Sequence, residues 1–263
     1  LAFCAALILA TMASYWSNVR GVGEDALLAL GVTLTLLAFF QGHRQSSLSN
    51  ALLFALGIAI ATLSKGILGL AMPGVVIFAF LLAESLMDKR LHLAHWLRPG
   101  LLTLLGLLPL MIWLALLYQR GGIQAVTELL LTNSVGRFSG SFVEAGHYEP
   151  FYYYLAKLPE AFLPWNILVY LGLWHFRKSL RANRYLLFFT LWILAQFVML
   201  TLASSKRTVY LMSMTPAAAV IAAEYASVLY AKLKARQDVS PLASSIIRHR
   251  RSVAVGTLSV VIA

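Results

Sequence analysis

The sequence predicts an all-α protein, a polytopic bundle of transmembrane helices. Of its 263 residues, 60% are hydrophobic and only 12% are charged, and the mean hydropathy is +0.79. A soluble domain carries about 25% charged residues. Runs almost free of charge recur at 25–42, 66–83, 100–118 and 185–205. Each is long enough, or nearly so, to cross a hydrocarbon core as a helix of about 20 residues.

About eight or nine spans follow one another along the chain. They are predicted at 1–16, 25–42, 47–64, 67–84, 100–118, 162–176, 185–203, 208–230 and from 252 onward. The connection 119–161 has room for structure of its own, and QAVTELLLTN within it predicts a surface helix. We treat 1–263 as one transmembrane domain. The chain starts without Met inside an apolar run, so we expect a fragment that lacks an N-terminal span and the first outer loop.

The basic residues indicate which way the bundle faces. The loops form two alternating sets, and the set 43–50, 85–99, 177–184 and 231–251 holds 14 of the 21 lysines and arginines. Cytoplasmic loops carry such an excess, so this set is predicted to be cytoplasmic and the other extracytoplasmic. The net charge of +11 then reflects topology and anionic lipid rather than nucleic acid. The single cysteine, Cys4, allows no intrachain disulfide.

Four groups of polar residues fall on the predicted outer side. Ionisable residues at span ends can reach water, so each group alone has a structural explanation. Together they indicate a site, because a compact bundle brings separate outer connections close to one another. The groups are Arg20 with Glu24 and Asp25; Ser64, Lys65 and Gly66; the stretch around His147; and Ser204 to Arg207 with Tyr210.

Asp25 stands at the start of the span 25–42, and Arg20 precedes it by five residues. Capping and the helix macrodipole explain an acidic residue at this position. The functional alternative is a carboxylate at the membrane surface that orients a nucleophile or acts as a base. Arg20 could pair with Asp25 or hold an anion.

Two cationic turns on the same side suit a phosphate group. Lys65 lies in TLSKGILG between two spans, and SSKRTVY places Lys206 and Arg207 near Tyr210. A lysine before a helix-ending glycine, or an interfacial anchor, is the structural alternative. The functional alternative is an anion at headgroup depth, held by charge-assisted hydrogen bonds that include a bidentate guanidinium.

The segment GHYEPFYYYLAKLPEAFLPW, residues 146–165, combines aromatic and ionisable side chains. Its aromatic residues are typical of the belt that forms where a chain re-enters the bilayer. That explanation does not cover His147, because imidazole is a common metal ligand and Glu144 and Glu149 are near it in sequence. A polar loop histidine and a metal ligand both remain possible readings of His147.

The pattern His147-x-Glu149-Pro-Phe-Tyr-Tyr-Tyr, followed by Leu-Pro-Trp at 163–165, resembles the bacterial membrane glycosyltransferases of the GT-C class. Within that class it is similar to the protein-mannosyltransferase-like group, which includes the aminoarabinose transferases acting on lipid A. VRGVGEDALLALGVTLTLLAF, LSKGILGLAMPG and SSKRTVYLMSMTPAAAV match further family stretches in the family's order. The resemblance extends over about 20–250.

The resemblance implies transfer of a pentose or hexose from a polyprenyl-phosphate donor to a lipid A-like or protein acceptor. The site would face the extracytoplasmic side of the bacterial inner membrane. Asp25 is the implied catalytic carboxylate, and His147, with Glu149 as a weaker companion, is an implied ligand of a divalent metal (zinc, magnesium or manganese). The implied donor-phosphate contacts are Lys65, Lys206, Arg207, Tyr210 and Arg20.

The resemblance also implies acidic residues that precede the matched stretches. The family's characteristic acidic residue or pair would precede Arg20, so the acceptor base and a further metal ligand are expected outside this sequence.

The main alternative function is a transporter or flippase for an anionic lipid or solute. Transporters place polar groups near the bilayer midplane on broken helices, whereas the predicted spans are nearly free of charge at their centres.

Overall fold

The structure is a computed structural model that describes residues 1–21, 23–141 and 147–239. Almost all of these residues are helical, as the sequence predicts, and the span predicted from 252 lies outside the described residues. The helices are α1 (Ala2–Thr11), α2 (Ala13–Val19), α3 (Glu24–Arg44), α4 (Leu48–Lys65), α5 (Ile67–Asp88), α6 (Leu93–Thr127), α7 (Arg137–Ser139), α8 (Tyr153–Ala161), α9 (Asn166–Phe176), α10 (Arg184–Leu202) and α11 (Thr215–Val239). A π-helical stretch, Glu128–Gly136, follows α6, and a 3₁₀ helix, Thr208–Met214, precedes α11.

Six helical segments of the described chain are long and apolar enough to cross a membrane. They are Glu24–Arg44, Leu48–Lys65, Ile67–Asp88, Leu93–Thr132, Arg184–Leu202 and Thr208–Ala235. The pair α1 and α2 adds a seventh if the two helices, which meet at 66°, form one span. The span predicted at 162–176 contains α9, which has only 11 residues. The predicted polytopic bundle is confirmed.

The break between α1 and α2 is held by the segment that precedes α9. Met12 is extended, and the next amide, Ala13 N–H, donates to Leu163 O at 2.8 Å. Trp165 Nε1 donates to Thr11 Oγ1 at 2.8 Å. The first bond satisfies an amide that a helix break otherwise leaves unpaired. Both bonds tie the bend to the segment that precedes α9.

The helices α3 and α4 pack together along the most extensive interface in the described bundle. A Cβ built on Gly31 lies 2.6 Å from Ala61 N, and one built on Gly57 lies 2.6 Å from Thr35 N. Both distances are impossible for a real side chain, so the two backbones touch because these positions are glycine. Small residues at such contacts let membrane helices pack by van der Waals contact alone. The start of α3 is thereby fixed against the end of α4.

An aromatic cluster packs between α3, α5 and α10 in the half of the bundle next to Glu84. The rings of Phe40 and Phe188 stack with centroids 4.6 Å apart, and Phe80 meets Phe188 edge-on at 5.3 Å. Phe39 meets Phe80 edge-on at 6.0 Å. Offset and edge-to-face geometries are the favourable ones for aromatic pairs. The cluster lies directly against His43, whose ring meets that of Phe80 edge-on at 5.6 Å.

We name the two polar ends after a central residue of each. The Lys65 end contains the start of α3, the end of α4, the turn 203–207 and the stretch 147–154. The Glu84 end contains the end of α3, the end of α5, and the starts of α6 and α10. All four predicted outer groups have members at the Lys65 end. Arg20 is the exception within its group: among the described residues it forms no ion pair with the others, and it lies over the Trp16 ring.

The predicted surface helix QAVTELLLTN is helical, but it continues α6. The backbone breaks from helical geometry at Gly122 (φ 64, ψ −169), and the chain then passes through Thr127 into the π-helical stretch. At its far end Phe138 O accepts a hydrogen bond from Ser204 N at 2.9 Å. The long connection therefore returns to the Lys65 end.

Candidate functional site

The stretch 147–154 lies against the turn 203–207. Tyr148 and Ser205 form an isolated antiparallel bridge, and Lys206 N–H donates to His147 O at 2.9 Å. Two segments that are far apart in sequence are thus joined through their backbones. The motif with His147 and the motif with Lys206 and Arg207, predicted separately, belong to one structural unit.

Lys206 is buried in this unit and acts as a clamp, that is, its ammonium bonds to carbonyl oxygens of both segments. Its residue is 4% exposed, and its Nζ donates to Glu149 O at 3.0 Å and Ala203 O at 2.6 Å. Burial lowers the pKa of Lys206, with the nearby Glu149 charge acting in the opposite direction. No carboxylate of the described residues forms an ion pair with it. The ammonium holds the two segments together in this structure, and its predicted contact with donor phosphate stays a prediction.

Tyr154 makes the second tie between the two segments. Its side chain is fully buried, and its hydroxyl donates to Arg207 O at 3.1 Å and accepts from Arg207 N at 3.0 Å. Burial raises the pKa of Tyr154 far above its usual range, so the hydroxyl stays neutral. The sequence interpretation assigned Tyr154 to the aromatic belt at the interface. That assignment is wrong, because the ring packs inward to reach the Arg207 backbone.

Lys65 is shared between two carboxylates at the start of α3. Its Nζ lies 2.5 Å from Glu24 Oε1 and 3.1 Å from Asp25 Oδ1. The Asp25 side chain is 15% exposed, whereas that of Glu24 is 53% exposed. The contact with Asp25 is an ion pair without an aligned hydrogen bond. Asp25 and Lys65, predicted in two separate groups, are direct partners here.

The turn after Lys65 fixes the position of its side chain. Gly66 has φ 53 and ψ −127, a combination that residues with a Cβ avoid, and α5 begins at the next residue. Gly66 N–H still donates to Thr62 O at 2.7 Å. The tight junction leaves the backbone of Lys65 little freedom. Together with the two carboxylates, it keeps the ammonium at the mouth of the cavity described next.

A cavity of about 380 Å³ opens beside Lys65. Its polar rim contains Lys65, Ser205 and Tyr210, and the Lys65 ammonium lies 5.9 Å from the centre of the Tyr210 ring. The rest of the wall is mainly apolar: Ile67, Leu68, Ala71, Val135, Phe138, Met199, Leu200 and Ala203. An apolar wall with a few polar groups at one end is typical of a ligand pocket. The shape suits an amphiphile with an anionic head.

Two predicted arginines are placed differently. Arg207 is half-buried and close enough to Glu24 for a favourable electrostatic interaction, and its side chain forms no ion pair within the described residues. The Arg20 guanidinium is exposed and lies 5.0 Å from the centre of the Trp16 ring. Arg20 and Asp25 do not form an ion pair in the described part of the chain. Arg207 is the better placed of the two for an anion at the Lys65 end.

His147 and Glu149 are both exposed beside the turn 203–207. The His147 backbone adopts φ 60, the left-handed region in which histidine is found more often than most residues. Catalytic zinc sites use three protein ligands, and these two residues form no group of three donors within the described ranges. Residue 144, the other predicted carboxylate, lies outside them. The described donors are too few for a metal site, and the metal prediction stays untested.

Two members of the predicted outer groups received no role of their own from the sequence. Glu24 holds Lys65 more closely than Asp25 does, and only its position next to Asp25 hinted at this. Ser205 lines the cavity beside Tyr210, although its neighbours Lys206 and Arg207 carried the prediction. No sequence signal separates these residues from their neighbours, because the distinction depends on which way each side chain points.

The chain is similar to known proteins in sequence and in structure. No protein-family model matches the chain. The chain is 25% identical over 229 residues to undecaprenyl phosphate-alpha-4-amino-4-deoxy-L-arabinose arabinosyl transferase 2 of Proteus mirabilis, over 86% of this chain and 40% of the relative. It is 28% identical over 205 residues to the undecaprenyl phosphate-alpha-4-amino-4-deoxy-L-arabinose arabinosyl transferase of Shewanella sediminis, over 75% of this chain and 36% of the relative.

Two solved structures have the same fold as this chain. The crystal structure of ArnT from Cupriavidus metallidurans bound to undecaprenyl phosphate superposes with a TM-score of 0.70 at 21% sequence identity, covering 84% of this chain and 40% of that chain. The same ArnT in the apo state gives a TM-score of 0.63 at 22% identity. This chain has the ArnT fold. The resemblance to the aminoarabinose transferase group of GT-C glycosyltransferases is confirmed. The ArnT-like chain spans about 40% of the length of the relatives it matches.

Proposed function

We propose that this ArnT-like chain acts in a membrane glycosyltransferase that moves a sugar from a polyprenyl-phosphate donor to a lipid A-like acceptor. The cavity beside Lys65 is the observation that carries the proposal, because it combines an apolar wall with a cationic mouth. Its shape matches the two parts of such a donor, a hydrocarbon chain and a phosphate. The relatives named above are transferases of undecaprenyl phosphate-linked aminoarabinose, which supports the same donor class and a pentose as the sugar.

The donor phosphate competes with carboxylates for Lys65 in this account. Glu24 is the more exposed of its two partners, so it is the one that a phosphate displaces more easily. Asp25 keeps its contact with Lys65 and fixes the ammonium at the cavity mouth. Arg207, whose side chain makes no ion pair in the described chain, adds a second positive charge. A phosphate between two cations gains charge-assisted hydrogen bonds.

Sugar transfer then proceeds by displacement at the anomeric carbon. An acceptor oxygen forms a bond to that carbon, and the bond from the carbon to the phosphate oxygen breaks. The electron pair stays on the departing polyprenyl phosphate, whose added negative charge faces Lys65 and Arg207. Cations fixed before the reaction lower the barrier because they need not reorganise. Where the acceptor oxygen carries a proton, Asp25 accepts it as the base.

His147 and Glu149 remain proposed ligands of a divalent metal beside this site. A metal there would neutralise charge on the phosphate. The described residues supply only these two donors, so the steps above use the side chains alone. Elemental analysis of His147→Ala tests the proposal: loss of one ion per chain relative to the parent supports it, and an unchanged ion count overturns it.

The Lys65 end is proposed to face the extracytoplasmic side of the bacterial inner membrane. The basic residues of the sequence support this direction, because the loops at the Glu84 end belong to the set with 14 of 21 lysines and arginines. A donor phosphate at headgroup depth would then meet an acceptor lipid in the same leaflet.

A transfer assay on the purified intact protein tests the function. We expect Lys65→Ala to lower the transfer rate by about 100-fold, the usual effect of removing one preorganised donor. Lys157→Ala is the matched control, because the Lys157 side chain is 42% exposed and its one ion pair among the described residues is with Glu160 at 3.0 Å. Equal rates for both variants would contradict the assignment of Lys65. Vesicles in which the protein moves the donor between leaflets without sugar transfer would instead support the flippase alternative.

A further inference from the structure

Three helix ends bring metal-ligating side chains together at the Glu84 end. His43 lies in the last turn of α3, Glu84 near the end of α5 and His95 in the first turn of α6. One ligand atom from each lies within 4.8 Å of the others. Within the described ranges this is the one group of three such residues at that spacing. It is at the opposite end of the bundle from the cavity beside Lys65.

The internal distances of the cluster are close to those of a metal site. His43 Nε2 lies 2.7 Å from Glu84 Oε2, and the rings of His43 and His95 have centroids 4.5 Å apart. Ligand atoms around a tetrahedral zinc ion are separated by about 3.3 Å, given bond lengths near 2.0 Å. To hold an ion between them, His43 and Glu84 therefore need to move apart by about 0.6 Å.

A small cavity of about 80 Å³ adjoins two of the three residues, Glu84 and His95. Glu84, His92, His95 and Asp88 line it, and the ring of His92 lies 5.2 Å from that of His95. His95 and His92 are exposed, so an ion can enter from solution. The space holds an ion with a water molecule or with His92 as a fourth ligand.

The ion pair between His43 and Glu84 does not explain why His95 lies beside them. The pair of His43 and Glu84 is complete without it, and the His95 imidazole forms no hydrogen bond or ion pair within the described chain. The other Glu84 oxygen lies 3.9 Å from Arg184 Nε, and Arg184 is itself neutralised by Asp88 at 2.5 Å. The positive charge of Arg184 is therefore already balanced. The negative charge of Glu84 remains available to a cation.

We propose that His43, Glu84 and His95 form a binding site for a divalent transition-metal ion of the zinc class. Two imidazoles and one carboxylate are a ligand set that zinc accepts, with the fourth position left to water or a further ligand. The hard ions magnesium and calcium prefer all-oxygen sets. The ion joins the ends of α3, α5 and α6, so its role is to hold the Glu84 end together. The proposal does not depend on sugar transfer.

Cobalt binding to the purified intact protein, carrying no histidine tag, tests this site. After chelation and dialysis, Co²⁺ is titrated while the visible absorption of the ion and the ion count per chain are measured. We expect the parent protein to bind one Co²⁺ at this site with nitrogen-ligand absorption bands, counted separately from any ion held by His147. His95→Ala should lose this ion, and Glu84→Gln, which keeps the side-chain shape, should weaken its binding by at least about 10-fold.

Two control variants separate this site from others. The His175 ring meets Phe176 edge-on and Tyr225 at a tilt, and it is not part of the cluster, so His175→Ala should bind the ion as the parent does. His147→Ala should also keep it, whatever the outcome for metal beside the cavity. The proposal is overturned if the parent shows no such bands, which leaves an ion pair only. It is equally overturned if folded His95→Ala and Glu84→Gln bind Co²⁺ as tightly as the parent.

Discussion

Lys65 Nζ lies 3.1 Å from Asp25 Oδ1, so the last residue of α4 is paired with the first turn of α3. The pairing depends on the close α3–α4 contact at Gly31 and Gly57. It places a cation and a carboxylate side by side at the mouth of an apolar cavity. The proposed chemistry needs these two charges in that place, one for the leaving phosphate and one for the acceptor.

Asp25→Asn should lower sugar transfer by about 100-fold or more, the range of general-base effects. The amide keeps the size of the side chain but can neither accept a proton nor balance the charge of Lys65. Glu24→Gln is the matched control, because Glu24 contacts the same ammonium but is more exposed. Transfer rates of the two purified variants are compared with the parent. A loss of equal size in both would contradict a special role for Asp25.

Tyr154→Phe should destabilise the protein by about 1–3 kcal/mol, because the Arg207 N–H and C=O both lose a buried partner. Thermal unfolding in detergent measures the effect. Tyr152→Phe, two residues earlier and exposed, should leave the melting temperature unchanged. If Tyr154→Phe melts with the parent, the hydroxyl does not hold the two segments together.

Lys206 should set the alkaline limit of activity. Burial lowers the pKa of Lys206, so its ammonium deprotonates below the ordinary lysine value of about 10.4. The clamp onto Glu149 O and Ala203 O then loses its charge, and the rate falls. We expect Lys206→Arg to shift this limb of the pH–rate profile upward, because a guanidinium stays protonated.

The fall in rate at alkaline pH can be distinguished from unfolding, because deprotonation of Lys206 changes the stability of the fold in the opposite direction. The folded chain binds the Lys206 proton less tightly than the unfolded chain, so the destabilisation from burying the charge is present at low pH. It disappears as the pH rises toward the unfolded pKa. Lys206 therefore contributes no loss of stability on the alkaline side. An identical alkaline limb in Lys206→Arg and the parent would show that another group controls the rate.

The orientation of the bundle can be measured with single cysteines in a Cys4→Ala background, since Cys4 is exposed. Ser141→Cys lies next to Gly140, which meets Ser204 at the Lys65 end, and Ser179→Cys lies between α9 and α10 near the Glu84 end. In intact cells made permeable only at the outer membrane, an impermeant maleimide should label Ser141→Cys. Ser179→Cys should react only after lysis, and the reverse pattern would overturn the proposed direction.

The sequence predicted the bundle and the gathering of polar residues at one end. Long apolar runs have one stable arrangement in a bilayer, so charges at alternate span ends necessarily share a side. Asp25, Lys65 and the turn 203–207 were placed correctly for this reason. Their pairing was not predicted, because it depends on the α3–α4 contact, which two ordinary-looking glycines determine.

Side-chain direction accounts for the remaining differences. Tyr154 lies in a run of three tyrosines, and only the fold shows that this one turns inward to Arg207. Lys206 could face solvent or carbonyl oxygens from sequence alone. His43, Glu84 and His95 carry no signal in the sequence, since they lie on three helices and form no local motif.

The dissociation constant of a polyprenyl phosphate for the purified intact protein tests the central claim most directly. The account predicts saturable binding to the parent and to Lys157→Met, and binding at least about 10-fold weaker to Lys65→Met. One charge-assisted hydrogen bond is worth about 1.5–3 kcal/mol, and 1.4 kcal/mol corresponds to a factor of ten. Equal affinity of Lys65→Met and the parent would contradict the claim that Lys65 receives the donor phosphate at the mouth of this cavity.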